Sequence, residues 1–192
     1  MTQFQQVSKF IFGKLEKELP DYLSYHNRDH TVDVLQAAED IANSEGIMEN
    51  DKRLLLTAAL FHDSGFLRGR DEHEMESCAI AKSILPGYNY QQEEIEIICG
   101  MIRATKIPQS PQNHLEEILC DADLDYLGRD DFFVLSNKLF AELTAEGIIA
   151  DNNEWNREQA DFMENHRYYT ATSIKLRQAK KEQYIKLIKS KL

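Results

Sequence analysis

The stretch LLLTAALFHDSG, residues 54–65, constrains the fold more than any other part of the sequence. Apolar residues occupy nearly every side of a helix drawn through it, and a helix that is apolar all round is buried. The helix ends in His62 and Asp63, and a buried carboxylate costs several kcal/mol unless it is paired or coordinates a metal. The stretch therefore predicts a central core helix that ends either in an internal His–Asp pair or in a metal site.

The segments on both sides of this stretch share its helical periodicity. Nearly every segment between turn signals repeats its apolar residues at helical spacing, and none combines alternation with clustered Val, Ile and Thr. Asp71 with Glu74, and Asn113 with Glu116, are typical of capping boxes. The expected class is all-α, with helices over 1–19, 20–46, 51–64, 71–86, 89–105, 115–127, 130–146, 153–166 and 170–189.

The size and composition of the chain fit one helical domain over residues 1–192. With 42% hydrophobic residues the chain can bury a continuous core. Its apolar stretches are far shorter than the roughly 20 residues that span a bilayer, and residues 1–19 are amphipathic and unlike a secretion signal. We expect no membrane association and a cytoplasmic location, and the oligomeric state is open. Three cysteines without a paired spacing predict buried free thiols: Cys78, Cys99 and Cys120.

The net charge of -11 at pH 7 argues against a nucleic-acid partner, because a negative surface repels a phosphate backbone. Small phosphorylated substrates remain compatible with this charge. Residues 175–192 carry seven basic side chains against Glu182 alone. This pattern favours a solvated C-terminal helix, and an interaction tail is the alternative.

A second cluster of polar residues is YHNRDH, residues 25–30. His26 and His30 are four positions apart, which places them on one face if the segment is helical. That face continues into Val34 and Ala37, so both imidazoles would extend an apolar stripe directed at the core. Such histidines are either satisfied core residues or ligands in a shared pocket.

A third cluster is CDADLDY, residues 120–126, in which helical spacing separates the acids. Asp123 shares its side with Leu119 and Leu127, so it is predicted to be the buried acid. Asp121 and Asp125 share the side of polar residues and are expected to face solvent or to support the site from behind.

Together the clusters supply two imidazoles and two carboxylates for one site, at predicted buried positions of three helices. Such a nitrogen and oxygen set suits divalent ions and leaves positions open for water or substrate, whereas a structural zinc site is closed and richer in cysteine. The pattern predicts a catalytic site for Mn, Fe, Zn, Ni or Mg. A metal-free network of buried His and Asp residues is the alternative.

The three clusters, in this order, resemble the HD superfamily of metal-dependent phosphohydrolases, which is named for a His-Asp pair such as His62-Asp63. The resemblance implies a helical bundle with a metal-binding core over about 22–128 and C-terminal helices over 129–192 packed on it. It implies that His30, His62, Asp63 and Asp123 bind the metal. The implied substrate is a phosphomonoester, a nucleotide or a phosphodiester. The alternative is a nucleotide-binding signalling module of the same fold with little or no catalysis.

Residues 25–30 are also similar to the signature of cyclic-nucleotide phosphodiesterases. This similarity makes His26 a candidate general acid, while Asp63 is expected to orient the attacking water. The chain departs from those enzymes after its His-Asp pair, where it reads Gly65-Phe66-Leu67-Arg68.

Two further groups of residues are candidates near the site. His73 resembles a histidine that contributes to a second metal in several bacterial members, and Asp121 could support either metal. Phosphate needs positive charge, and five basic residues lie near the ends of the clustered segments: Arg28, Arg68, Arg70, Arg103 and Lys106. Arg28 and Arg68 lead because they are nearest to the metal motifs.

Overall fold

The computed structural model of the protein describes residues 1–192 and contains nine α-helices, three 3-10 helices and no β-strand. The all-α prediction is therefore confirmed. The α-helices are α1 (Gln3–Glu18), α2 (Arg28–Ser44), α3 (Glu49–Phe61), α4 (His73–Ile84), α5 (Gln92–Ala104), α6 (His114–Asp123), α7 (Phe132–Ala145), α8 (Asn152–Asn165) and α9 (Ala171–Lys189). The 3-10 helices span Ser64–Leu67, Leu85–Tyr88 and Asp125–Gly128.

The second helix begins at Arg28, well after the predicted start near residue 20. Asn27 is its N-cap, and the Asn27 side chain accepts hydrogen bonds from the backbone N–H groups of Asp29 and His30. These bonds satisfy two of the donors that a helix leaves free at its start. The predicted helix over 20–46 was therefore too long at its beginning.

The start of α4 also differs from the prediction. Glu72 precedes the helix in a left-handed conformation, with φ at 52°, and no side chain caps it. The predicted capping box of Asp71 and Glu74 is wrong, because the backbone reverses at Glu72 and leaves no N-cap geometry at Asp71. The box at Asn113 is half present, since the Asn113 side chain accepts from the N–H of Glu116.

Two helices end at the acids of the sequence clusters. Helix α3 ends at Phe61, and Asp63 has φ -105° and ψ 7°. Helix α6 ends at Asp123, and the next residue, Leu124, has φ -108° and ψ 18°. In both places a 3-10 helix continues the chain, so the predicted helices over 51–64 and 115–127 each consist of two elements.

The core has two parts. The larger part lies among α1 to α6 and includes fully buried Leu55, Leu60 and Phe61 of α3. The smaller part includes Phe132 of α7 and Met163 of α8, packed with aromatic rings of neighbouring segments. Helix α3 is therefore central, as its apolar sequence predicts. No helix is long and apolar enough to cross a membrane, and the three cysteines are buried free thiols.

Lys181 of α9 is buried beside His166, the residue that follows α8. Lys181 is only 2% exposed, and its Nζ donates to the carbonyl of His166 at 2.5 Å and lies 3.2 Å from His166 Nδ1. Burial and the charge of Lys181 lower the pKa of His166 to about 3. His166 is therefore neutral in the folded protein at neutral pH.

This pair predicts a loss of stability in mild acid. The pKa of an unfolded histidine is about 6.5, so below that pH the unfolded chain takes up a proton that folded His166 refuses. The contribution of neutral His166 to the free energy of unfolding is present above pH 6.5 and is lost as the pH falls towards 3. Between pH 8 and pH 5 it amounts to about 2 kcal/mol.

Denaturant unfolding of the wild type and of His166→Asn at pH 8 and pH 5 measures this contribution. The other histidines are present in both proteins. The difference between the two proteins in how the free energy of unfolding changes from pH 8 to pH 5 therefore isolates His166. Equal pH dependence in the two proteins would show that His166 is protonated in the fold.

Candidate metal centre

Three helices bring the predicted ligands together. Helix α2 packs on both α3 and α6. His30 lies in the first turn of α2, His62 and Asp63 follow the end of α3, and Asp123 is the last residue of α6. Because each residue lies near one end of its helix, side chains from distant parts of the sequence meet at one place.

The four side chains converge closely. His30 Nε2 lies 3.3 Å from His62 Nε2 and 3.3 Å from Asp123 Oδ1. His62 Nε2 lies 3.4 Å from Asp123 Oδ1. Ligand atoms of these three residues all lie within 4.8 Å of one another. Asp63 Oδ2 also contacts the cluster, at 3.3 Å from His30 Nε2 and 3.2 Å from His62 Nε2.

These spacings fit a divalent ion. In a tetrahedral site with bonds of about 2.1 Å, neighbouring ligand atoms lie about 3.4 Å apart. Asp63 Oδ2 is buried and has no hydrogen-bond partner, although it lies within ion-pair distance of both imidazoles. A buried carboxylate oxygen without a hydrogen bond is costly unless a cation satisfies it.

Hydrogen bonds behind the cluster fix the orientation of His62. His62 Nδ1 donates to the carbonyl of Ala59 at 2.8 Å, which leaves Nε2 with its lone pair for a ligand. Ser77 of α4 donates from Oγ to the His62 carbonyl at 2.7 Å and accepts from the N–H of Gly65 at 2.7 Å. Sequence analysis did not identify Ser77, which is fully buried.

Burial opposes charge on every member of the cluster, but the opposite charges within it outweigh burial. Asp63 and Asp123 raise the pKa of His62 well above its ordinary value and also raise the pKa of His30. In return, the imidazoles hold the pKa of Asp123 to about 2 and that of Asp63 well below its usual range. Metal ligation needs neutral imidazoles, so metal uptake must release protons and weaken as the pH falls.

A cavity of about 330 Å³ opens beside the cluster. Asp63, Asp123 and Thr105 line it together with His26, Arg70, His73 and Glu74. Its other lining residues include an apolar wall from α7 and α8, made by Leu139, Leu143, Trp155 and Phe162. The cavity therefore joins a charged end to an apolar wall that the sequence did not predict.

His26 precedes α2, so the prediction that it shares a helix face with His30 is wrong. It nevertheless lines the cavity. Its ring stacks on Phe66 at 4.4 Å between centroids with 16° between the planes, and its Nδ1 lies 2.5 Å from Glu142 Oε1. The structure thus places His26 near His30, with ring centroids 5.9 Å apart, by a different route from the one expected.

His73 lies at the edge of the cluster. Its Nε2 is 3.6 Å from Asp63 Oδ1 and 3.4 Å from Glu74 Oε1. Glu74 is buried although it lies in the first turn of α4. His73 is therefore close enough to act with Asp63, and Glu74 is an acid that sequence analysis assigned only to a cap.

Asp123 was predicted to be the buried acid, but its side chain is 16% exposed, whereas Asp121 and Asp125 are buried. Of the two alternatives for Asp121 and Asp125, exposure to solvent is therefore wrong. Asp121 is fully buried and accepts hydrogen bonds from the N–H groups of Tyr169 and Thr170 and from Thr170 Oγ1. Asp125 is paired with Arg177 at 2.7 Å. The segment that leads into α9 covers this side of α6, so Asp121 anchors that segment and does not line the cavity.

The two leading phosphate candidates do not line the cavity. The Arg28 side chain is 47% exposed and lies 3.7 Å from Asp29. The Arg68 side chain is 52% exposed and is paired with Glu76. Arg28 is the first residue of α2 and Arg68 follows a 3-10 helix, and both side chains lie at the surface. Among Arg and Lys side chains, only Arg70 lines the cavity.

Comparison with known proteins gives a family match. The model of the HD domain family matches residues 27–125, which include all four residues of the cluster. A stretch of 76 residues, 38% of this chain, is 38% identical to an uncharacterized protein of Clostridium beijerinckii. That stretch covers 48% of the relative, so the chain spans about half the length of the curated relative it matches.

Two solved structures share the fold over nearly their whole length. A predicted HD superfamily hydrolase from an uncultured Thermotogales bacterium matches with a TM-score of 0.63 at 20% identity, covering 95% of this chain and 89% of that one. Bacillus subtilis YpgQ, solved in complex with ADP, matches with a TM-score of 0.67 at 18% identity, covering 99% and 95%. At these identities the likeness shows the fold alone.

Proposed function

This chain belongs to the HD domain family, and from that premise we propose that it is a metal-dependent phosphohydrolase acting on a phosphomonoester, nucleotide or phosphodiester. The observation that carries the proposal is the convergence of two imidazoles and two carboxylates beside a cavity. The ligands would be His30, His62, Asp63 and Asp123. A metal-free structural pair needs neither the cavity nor a carboxylate oxygen without a hydrogen bond.

A divalent ion held by these ligands would supply positive charge to activate a water and to neutralise charge on a phosphoryl oxygen. The residues of the chain supply the rest. Asp63 Oδ1, on the side of His73, is placed to orient the attacking water. His26 is placed to give a proton from its ring to the departing oxygen.

Arg70 is the residue we propose for phosphate binding, in place of Arg28 and Arg68. Its guanidinium lies over the Phe66 ring at 5.1 Å from the centroid. It donates from Nη2 to Glu142 of α7 and from Nε to Glu146, the residue after α7. Nη1 has no hydrogen-bond partner in the protein and remains available to a phosphoryl oxygen. A planar guanidinium held in this way is well suited to phosphate.

The apolar wall of the cavity favours a phosphate ester with an apolar or planar organic group. Trp155, Phe162 and two leucines offer contact area that a small hydrophilic alcohol would not use. A nucleotide has such a group, and YpgQ, which shares the fold, was solved with ADP. Nucleotides are therefore the first substrates to test.

We expect the protein loaded in turn with Mn, Fe, Zn, Ni or Mg to hydrolyse at least one member of a panel of phosphomonoesters, nucleotides and cyclic nucleotides. Phosphate release with and without a chelator measures this activity. Absence of turnover with every metal would defeat the proposal. If a nucleotide raises the Tm in that case, the chain is a nucleotide-binding module without catalysis, as stabilisation by a bound ligand requires.

His73 and Glu74 are the residues we propose for a second ion that shares Asp63. His73 Nε2 lies 3.4 Å from Glu74 Oε1 and 3.6 Å from Asp63 Oδ1. Two ions in catalytic sites of this kind lie about 3.5 to 4 Å apart. Elemental analysis should give two equivalents of metal in the wild type and one in His73→Ala, whereas one equivalent in both would restrict the centre to a single ion.

A further inference from the structure

We propose that Glu142 of α7 is a positioning residue that orients His26 for proton donation and anchors Arg70 beside it. The inference rests on the proposed function. Glu142 lies outside residues 27–125, which the family model matches. It would make a C-terminal helix part of the reacting site.

Four donors converge on this one carboxylate. Glu142 Oε2 accepts from the backbone N–H groups of Tyr25 at 2.8 Å and His26 at 2.9 Å. Glu142 Oε1 lies 2.5 Å from His26 Nδ1 and accepts from Arg70 Nη2 at 2.6 Å. The Glu142 side chain has no exposed surface. A carboxylate buried so completely is stable only because these donors replace its water.

The contacts fix the proton arrangement of His26. A carboxylate oxygen has no hydrogen to give, so His26 Nδ1 must carry the hydrogen of that bond. Nε2 is then the ring nitrogen left for a ligand in the cavity. Burial raises the pKa of Glu142, but the hydrogen bonds and charge of His26 and the N–H groups hold that pKa to about 2. Glu142 is therefore ionised and accepts the hydrogen of His26 Nδ1.

Phe66 and Arg70 complete the arrangement. Phe66 is 3% exposed, and its ring lies between the rings of His26 and His73, with centroids 4.4 Å from each. Arg70 donates to both Glu142 and Glu146. One buried carboxylate thus sets the position of a proton donor and of the cavity's arginine.

The two backbone N–H groups that donate to Glu142 Oε2 do not by themselves require a charged acceptor, because a water or an amide oxygen could accept the same hydrogen bonds. The other oxygen, Glu142 Oε1, distinguishes the proposal, because it contacts only the His26 imidazole and the Arg70 guanidinium. In the reaction, water attacks phosphorus and loses a proton to solvent, the ester P–O bond breaks, and the proton on His26 Nε2 passes to the departing oxygen. Solvent then returns a proton to His26.

The proposal predicts a dependence on the leaving group. An alkoxide is strongly basic and needs a proton as it departs, whereas 4-nitrophenolate is weakly basic and departs without one. Glu142→Gln should lower kcat on an alkyl phosphate by about 100-fold, in the range of general acid catalysis, and kcat on 4-nitrophenyl phosphate by less than about 3-fold. His26→Ala should give the same split in kcat, and the double variant should lose no more kcat. Only the variants that lack Glu142, which also anchors Arg70, should raise KM for both esters.

Glu45→Gln is a matched control. Glu45 is a partly buried carboxylate that accepts from the N–H and Oγ1 of Thr172, and it does not line the cavity. Its loss should lower the Tm without changing the ratio of the two kcat values. An equal loss on both esters in Glu142→Gln, with metal content unchanged, would reduce Glu142 to a structural role and overturn the proposal.

A measurement independent of activity separates this inference from the proposed function. Nitrogen-15 NMR of the imidazoles, assigned with His26→Ala, should show His26 protonated at Nδ1 in the wild type, with or without turnover. In Glu142→Gln, the His26 ring should no longer be held in this one proton arrangement. A wild-type His26 with hydrogen only on Nε2 would overturn the positioning role even in an active enzyme.

Discussion

The Asp63→Asn protein should take up no metal at the centre and hydrolyse no phosphate ester, while its helical fold remains. Asparagine keeps the size of the side chain but removes the charge that offsets a divalent ion. Asp63 Oδ2 has no hydrogen bond to lose, but its charge raises the pKa of His62, so the metal-free variant should lose some stability and still keep its helical fold. The defect should therefore appear in metal binding and not in loss of the fold.

His62→Ala should have the same effect, because it removes a nitrogen from the proposed ligand set. His62 Nε2 lies within 3.4 Å of both His30 Nε2 and Asp123 Oδ1. Losing a ligand of a metal that supplies several kcal/mol of transition-state stabilisation lowers kcat by about 10³-fold or more. Metal content by elemental analysis, circular dichroism and phosphate release are the measurements.

Two surface substitutions are matched controls for these variants. The side chain of Asp29 is 79% exposed and that of His114 is 45% exposed, and neither lines the cavity. Asp29→Asn and His114→Ala should keep full metal content and activity. Metal should raise the Tm of the wild type and of both controls, but not of Asp63→Asn or His62→Ala. If His62→Ala and Asp63→Asn bind metal as tightly as the wild type, the ligand set is wrong.

The parts of the site that the sequence predicted are those set by a single helix. The apolar run of α3 places His62 and Asp63 at the end of a buried helix, and helical spacing separates Asp123, which lines the cavity, from Asp121 and Asp125, which do not. In each case the local pattern and the packing agree, because apolar neighbours of these residues, such as Phe61 and Ala122, belong to the larger core.

The parts that the sequence did not predict depend on where the C-terminal helices pack. The polar side of α6 would face solvent if α6 ended the protein, but the segment before α9 covers it and buries Asp121. Arg70 was one of five basic candidates, and only its contacts with α7 single it out. No local pattern specifies such contacts between residues 72 positions apart.

The sequence pattern of α7 contained a signal for Glu142 that the prediction did not use. Leu135, Leu139, Glu142 and Glu146 follow one another at helical spacing, so an acid interrupts the apolar side of α7. The same argument that identified Asp63, a carboxylate on a buried helix side, applies to Glu142. The division into one domain over residues 1–192 stays a prediction.

Gly65→Ala should destabilise the protein by about 3 kcal/mol or more. A Cβ at Gly65 would lie 1.9 Å from the carbonyl oxygen of His73 and 2.7 Å from its carbonyl carbon. Both atoms are backbone, so no side chain can rotate away, and the start of α4 must move. Gly65 does not have a positive φ, so the effect is steric and not a matter of backbone conformation.

The displacement should also reach the site. The N–H of Gly65 bonds to Ser77 Oγ, which donates to the His62 carbonyl, and His73 lines the cavity. Moving α4 away from residue 65 therefore disturbs the residues on both sides of Asp63. We expect the Tm to fall by roughly 10 °C and the metal affinity and kcat to fall with it.

Gly13→Ala is the matched control for this substitution, because Gly13 lies inside α1 and a Cβ there would have no atom within 4 Å. Alanine is the better helix former by about 0.8 to 1 kcal/mol, so Gly13→Ala should raise the Tm slightly and leave activity unchanged. Thermal unfolding of the three proteins compares one backbone change in two environments. A Gly65→Ala protein as stable as Gly13→Ala would show that α4 does not pack against residue 65, and the positions of His73 and Ser77 beside the metal centre would be wrong with it.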